Sequence, residues 1–186
     1  SMTQVVYYVA ASLDGFIAGP QGELDWLHAF EQVGNDYGYG EFFATVDGLV
    51  MGRATWEVAR SFGAWPYGDR PAWLLTRRPV DPADLAPMLR VAAGPPEALY
   101  AQWQAQGLQR VWLVGGGDVA AQFLAAGLVH ELMLATMPVT LGRGIGLFGG
   151  NTGNTLPHWT VVASQSHANG VLTRHYRQAG PVSASR

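Results

Sequence analysis

The chain has 186 residues, 48% of them hydrophobic and only 13% charged, which fits one domain with a substantial core and argues against disorder. Its formal net charge is −3 with no basic run, so no nucleic-acid partner is expected. Cysteine and lysine are both absent, which excludes disulfides, thiolate metal sites, a cysteine nucleophile, a Schiff-base lysine and a Walker-type phosphate loop.

Residues Val5 to Ala11 are β-branched, aromatic and apolar, and predict a buried strand. Asp14-Gly15 and Gly19-Pro20-Gln21-Gly22 mark turns. Tyr37 to Ala44 reads as a short helix with Tyr39, Phe42 and Phe43 on its apolar side. Leu49 to Met51 predicts a strand, Thr55 to Phe62 a helix, and Pro71 to Thr76 a strand that stops at Arg77-Arg78-Pro79. Met88 to Ala93 continues as a strand, and Pro96 to Gln106 as a helix opened by proline. Val111 to Val114 predicts a strand, Val119 to Ala126 a helix stopped by Gly127, and Leu132 to Met137 a further strand. Thr160 to His167 and Val171 to Arg177 flank Ala168-Asn169-Gly170, a favoured hairpin turn.

Alternating strands and helices followed by a hairpin predict an α/β sandwich with a mainly parallel sheet and an antiparallel C-terminal edge. Ser1 before Met2 reads as a tag remnant. The expected division is an N-terminus over 1–3, one domain over 4–179 and a small, polar, flexible tail over 180–186. No run approaches the roughly 18 apolar residues of a membrane span, and the N-terminus has no charged leader region. A cytoplasmic protein without a membrane partner is expected. The five histidines show no metal-ligand spacing, so no metal is expected.

Two strand-to-helix turns carry the chemistry. Gly52-Arg53-Ala54-Thr55-Trp56-Glu57 combines a glycine that admits close backbone approach, a guanidinium and a hydroxyl at a helix N-terminus. Gly115-Gly116-Gly117 follows a strand and opens a helix, and Gly115, Gly117 and Ala120 match the dinucleotide fingerprint. The acidic residue that should end the next strand is missing, because Glu131 is too near and precedes a strand. A ligand-free tight turn and a phosphate cradle in another α/β fold both remain open. Leu74-Leu75-Thr76-Arg77-Arg78 ends a third strand with a hydroxyl and two guanidinium groups, where open α/β sheets bind ligands.

Three segments together resemble the dihydrofolate reductase-like superfamily: Met51 to Glu57, Leu74 to Arg77, and Val114-Gly115-Gly116-Gly117-Asp118-Val119 with Gln122-Phe123-Leu124. Ala10 to Ala18, and Pro138-Val139 with Leu141-Gly142, Gly144 and Leu147-Phe148, look closer to the reductase domain of bacterial riboflavin biosynthesis and its stand-alone relatives. The resemblance covers about residues 4 to 177 and implies a dihydrofolate reductase-like three-layer sandwich that binds NADPH. It assigns Gly52, Arg53 and Thr55 to the pyrophosphate and adenosine phosphate, and Thr76 and Arg77 to the 2′-phosphate and adenine edge. It sets Gly115, Gly116 and Gly117 against the pyrophosphate within the stretch Val114 to Val119, including Asp118, and implies a cis Gly115–Gly116 peptide. Ala10 and Ile17 would border the nicotinamide. The implied activity is hydride transfer to a small heterocyclic, pterin- or pyrimidine-like substrate, and a homodimer is implied by analogy. The substrate would lie against a wall of Trp26, Phe30 and Phe43, with Asp25 orienting or protonating it. No residue maps cleanly onto the acid of dihydrofolate reductases, which leaves a non-catalytic nucleotide-binding module as the competing reading.

Overall fold

The computed structural model describes residues 2–154 and 156–181, the side chains of 180 and 181 excepted. Five strands run parallel: β1 (Gln4–Ser12), β3 (Gly48–Gly52), β4 (Ala72–Leu75), β5 (Leu89–Ala92) and β6 (Arg110–Gly115). A sixth, β7 (Glu131–Met137), pairs parallel with β1. The last two, β9 (Pro157–Ser166) and β10 (Leu172–Pro181), form an antiparallel hairpin that joins β7 through β10. The sheet order is β5-β4-β3-β6-β1-β7-β10-β9. A second small sheet pairs β2 (Phe16–Ala18) with β8 (Ile145–Gly146).

Alternation along the central strands divides the core into two layers. Val5, Tyr7, Val50, Trp73, Val111 and Leu113 face one side. There they meet α3 (Pro96–Ala105) through Leu99 and Trp103, and α4 (Gly117–Ala125) through Ala120 and Phe123. Val6, Leu49, Met51, Leu74 and Trp112 face the other side. They meet α1 (Tyr39–Ala44) through Phe42, and α2 (Arg53–Ser61) through Trp56 and Ala59. Helices therefore cover both faces of a mostly parallel sheet, the three-layer sandwich expected from the resemblance.

The remaining helical pieces are two 3-10 helices, Asp25–Phe30 and Pro82–Asp84. The first contains no buried residue, so packing does little to extend it into an α-helix. Thr3 is fully buried, donates from Oγ1 to the Leu108 carbonyl at 2.6 Å, and accepts the Tyr100 hydroxyl at 2.7 Å. The ordered fold thus begins at least one residue before Gln4. At the other end β10 runs to Pro181, while the rest of the expected tail, 182–186, lies outside the described residues, as does Ser1. Among the described residues no helix is long and apolar enough to cross a membrane.

Candidate active site

All six parallel strands end on one side of the sheet, and the glycine turns lie there. Gly52 closes β3 and Gly115 closes β6, with Met51 paired to Gly115 and Gly52 to Leu75. α2 begins at Arg53 and α4 at Gly117, and neither N-terminus has a side-chain cap. Their first-turn amides are free to meet an anion, and the helix dipoles favour one. Thr55 adds a hydroxyl: its Oγ1 lies 3.3 Å from where a Cβ on Gly115 would sit and 3.7 Å from that of Gly116. The Gly115–Gly116 peptide is cis, as the resemblance implies. Two of the glycines also have a packing role that needs no ligand. A Cβ on Gly52 would stand 2.7 Å from Val119 Cγ2, and one on Gly117 would collide with the Gly146 carbonyl.

Beside this cradle lies a cavity of about 340 Å³, lined by Leu75, Thr76, Arg77, Gly94, Asp118 and Gln122. Arg77 is exposed, and its Nε donates to the Ala93 carbonyl at 3.5 Å, a long contact that leaves the guanidinium end uncommitted. Thr76 Oγ1 accepts the Arg78 amide at 3.3 Å, and Asp118 accepts the Gln122 side-chain amide at 3.1 Å. Arg53 is engaged elsewhere. Its guanidinium donates to the carbonyls of Arg78 at 3.4 Å and Pro79 at 3.1 Å and sits 5.7 Å from the Trp56 ring centroid. It ties α2 to the loop after β4.

The N-terminal side of the cleft is held by Asp14. Its carboxylate accepts the Ser12 hydroxyl at 2.6 Å and the amides of Leu141 at 3.1 Å and Gly142 at 2.8 Å. Chiefly the Ser12 hydroxyl, assisted by those amides, holds its pKa at about 2. Leu147 N also donates to the Gly15 carbonyl at 3.0 Å. This clasp fixes the turn between β1, which carries Ala10, and β2, which carries Ile17.

The proposed substrate wall falls on two separate elements. Trp26 and Phe30 lie on the first 3-10 helix, and neither pairs with another aromatic ring among the described residues. The Trp26 indole donates to the Glu23 carbonyl at 3.2 Å, and the Phe30 carbonyl accepts the Tyr37 hydroxyl. Asp25 is exposed and has no hydrogen bond to fix it among the described residues. Phe43, on α1, stacks on Tyr39 at 5.7 Å and lies under Arg70, whose guanidinium carbon is 3.9 Å from its ring centroid.

Of the three wall residues, only Phe43 joins the denser aromatic cluster: it meets Trp112 at 6.2 Å, and Tyr8, Tyr39 and Tyr67 also pack on that indole. Seven Trp, seven Tyr and seven Phe in the sequence signal aromatic contacts but not which rings meet. Glu131, too near the glycine turn to serve a ribose, is instead the buried acid of the sheet. It meets Arg110 at 3.0 Å and His175 at 2.6 Å. Among the described residues no cluster of acidic and histidine side chains could hold a metal ion.

This arrangement of layers is shared with known proteins. The chain belongs to the RibD C-terminal domain family, which matches residues 64–173. It is 33% identical over 153 residues to protein YwjB of Bacillus subtilis, whose own role is uncharacterized, covering 82% of this chain and 86% of YwjB. A candidate riboflavin biosynthesis protein of Shewanella sp. PV-4 superposes with a TM-score of 0.84 at 30% identity, over 95% of this chain and 99% of that one. A dihydrofolate reductase of Enterococcus faecalis, solved with NADP(H), superposes with a TM-score of 0.63 at 20% identity, over 95% and 96% of the two chains. That last likeness extends to the fold. The chain therefore has the dihydrofolate reductase-like fold in its RibD-type branch, a reductase scaffold.

Proposed function

We propose that this protein is an NADPH-dependent reductase that delivers hydride to a small, flat heterocycle of pterin or pyrimidine type. The supporting observation is the convergence of two uncapped helix N-termini at adjacent strand ends, beside a cavity carrying Thr76 and Arg77. These residues fit a phosphorylated dinucleotide. The amides opening α2 and α4, with Thr55, would hold the pyrophosphate. Arg77, free at its guanidinium end, would meet the 2′-phosphate, a group that NADH lacks. Asp118 suits ribose hydroxyls, since a carboxylate accepts hydrogen bonds and repels phosphate. Ala10 and Ile17 would border the nicotinamide. Bound there, NADPH supplies the hydride, while the chain's own groups orient the acceptor and exclude water. Asp25 stands exposed without a hydrogen-bond partner among the described residues, so water is the proton source this arrangement favours over it. The E. faecalis dihydrofolate reductase binds NADP(H) on the same fold, which supports the cofactor assignment. The same reading has the protein acting in the cytoplasm as a homodimer.

Thermal unfolding with and without nucleotide tests the proposal. NADPH at about 1 mM, some 100-fold above a useful Kd, should stabilise by about 2.7 kcal/mol. For a chain of this size that raises Tm by roughly 5–10 °C. NADH should shift Tm less, and Arg77→Ala should narrow the gap between the two. If neither nucleotide moves the transition, the reductase reading fails.

A further inference from the structure

An indole has one donor and no acceptor, so a buried indole without a partner has no second group to satisfy. Trp26 and Trp112 donate to main-chain carbonyls at 3.2 and 3.1 Å. The buried indole nitrogens of Trp56, Trp65 and Trp103 have no partner among the described residues. Trp103 is locked in the core, stacked on Phe123 at 5.9 Å and set against Trp73 at 5.7 Å. Trp56 and Trp65 differ from it, because both line one cavity of about 240 Å³. The Nε atoms of Arg110 and Arg174 are also unpaired. A guanidinium has further donors, however, and Arg110 uses two of them on Glu131 and Met133.

The cavity lies along the later turns of α2. Trp56 and Arg60 reach it from the helix, Trp65 from the loop that follows, and Asp84, Leu85 and Pro87 from the segment that leads into β5. β5 is an edge strand, four places from β1 in the sheet. The cavity shares no lining residue with the one at Thr76 and Arg77. Trp56 is 1% exposed, and the guanidinium carbons of Arg60 and Arg53 lie 4.8 and 5.7 Å from its ring centroid. Trp65 is half-buried and meets Tyr67 edge-to-face at 5.1 Å, so its ring can turn toward an entering group.

The chemistry of the walls selects the ligand. Two indole donors require an acceptor. Asp84, the acid of the lining, is already paired with Arg60 at 3.2 Å, and Glu57 meets the same guanidinium at 3.4 Å. Two carboxylates around one guanidinium leave this side net negative, which disfavours an anion. Leu85 and Pro87, with Ala59 and Ala86, offer apolar surface to a small ring.

We propose that this cavity binds a small neutral cyclic amide or imide, whose carbonyl groups accept the indole N–H groups of Trp56 and Trp65 while its ring lies against Leu85 and Pro87. The site is separate from the cofactor cleft and does not depend on the reductase reading.

Heteronuclear NMR of isotopically labelled protein tests this, because each of the seven tryptophans gives its own indole N–H signal. Titration with 2-piperidone should move the assigned Trp56 and Trp65 signals downfield and saturate at about 1–10 mM, an affinity within reach of a ligand this small. Cyclopentanecarboxylate should move neither. Trp65→Phe should weaken the lactam by roughly 2- to 10-fold, the loss of one hydrogen bond. Ala86→Leu, which adds bulk to the cavity wall, should abolish the saturable shift of both signals. If the lactam leaves both signals in place, or moves them without saturation, only water serves these donors and the proposal falls. Equal binding in Ala86→Leu overturns it, as does a carboxylate that binds as tightly as the lactam. The titration contains no nucleotide, so its result is the same whether or not NADPH binds elsewhere.

Discussion

Asp14 links local chemistry to the shape of the cleft. Its carboxylate collects one hydroxyl and two amides across the turn that separates Ala10 from Ile17. With its pKa held at about 2, below the ordinary carboxylate value of 3.8, the folded protein binds fewer protons than the unfolded chain in that window. Stability from this group is therefore fully present above about pH 4 and is lost as pH falls toward 2. Asp14→Asn should lower Tm at pH 7, and its difference from the wild type should shrink between pH 4 and 2. Parallel thermal scans across that range measure it. A deficit that stays constant down to pH 2 would mean that the carboxylate charge is not what holds the clasp. The same residue shows what a sequence hides. Asp14-Gly15 was readable as a turn, but the partners at 141 and 142 lie more than a hundred residues away and depend on how the chain returns.

At the level of elements, Glu131 fastens the hairpin to the parallel sheet. It starts β7, and its carboxylate meets Arg110 from β6 and His175 from β10, so one side chain spans strands on both sides of β1. The Glu131 side chain is only 4% exposed, against 25% for Arg110 and 20% for His175. Removing the buried acid leaves the Arg110 guanidinium uncompensated and takes the hydrogen-bond partner from His175, a loss on the order of 3–5 kcal/mol, toward the low end here because both partners keep some water. Glu131→Ala should lower stability to urea accordingly, and amides of β10 should lose hydrogen-exchange protection before those of β3 and β4. An unchanged urea midpoint would contradict this.

The strands and α-helices of the sandwich were legible to within one or two residues, because each carries its own periodicity and its own glycine or proline stop, except at the outer ends of the hairpin, where β9 starts three residues before Thr160 and β10 runs four residues past Arg177. What was not legible has little local signal. β2 is three residues and β8 two, and they form a sheet only because they meet. Of the candidate site, the glycine turns and Thr76-Arg77 could be read as motifs at strand ends. The grouping of Tyr8, Tyr39 and Tyr67 could not, since it arises when a strand, a short helix and a loop pack on Trp112.

For the whole molecule, the two edges of the sheet are unequal. β5 closes one side with four residues, whereas β9 presents ten at the other. A long edge strand with unpaired backbone groups invites another strand or sheet unless something blunts it. β9 lacks lysine, arginine and glutamate, and its one proline is its first residue. Val161 and Val162 are 53% and 46% exposed near its middle. These features support the homodimer proposed above and assign its contact to the β9–β10 side. Sedimentation velocity at micromolar concentration should give a species of twice 20.0 kDa for the wild type. Val161→Lys with Val162→Lys introduces two like charges that a symmetric contact would bring together with their copies, and should yield the monomer. Because β9 lies at the far side of β10 and β7 from the glycine turns, NADPH should still raise Tm in the double variant. A wild type that sediments as a monomer would remove the dimer, and the exposed valines would then be an uncovered edge.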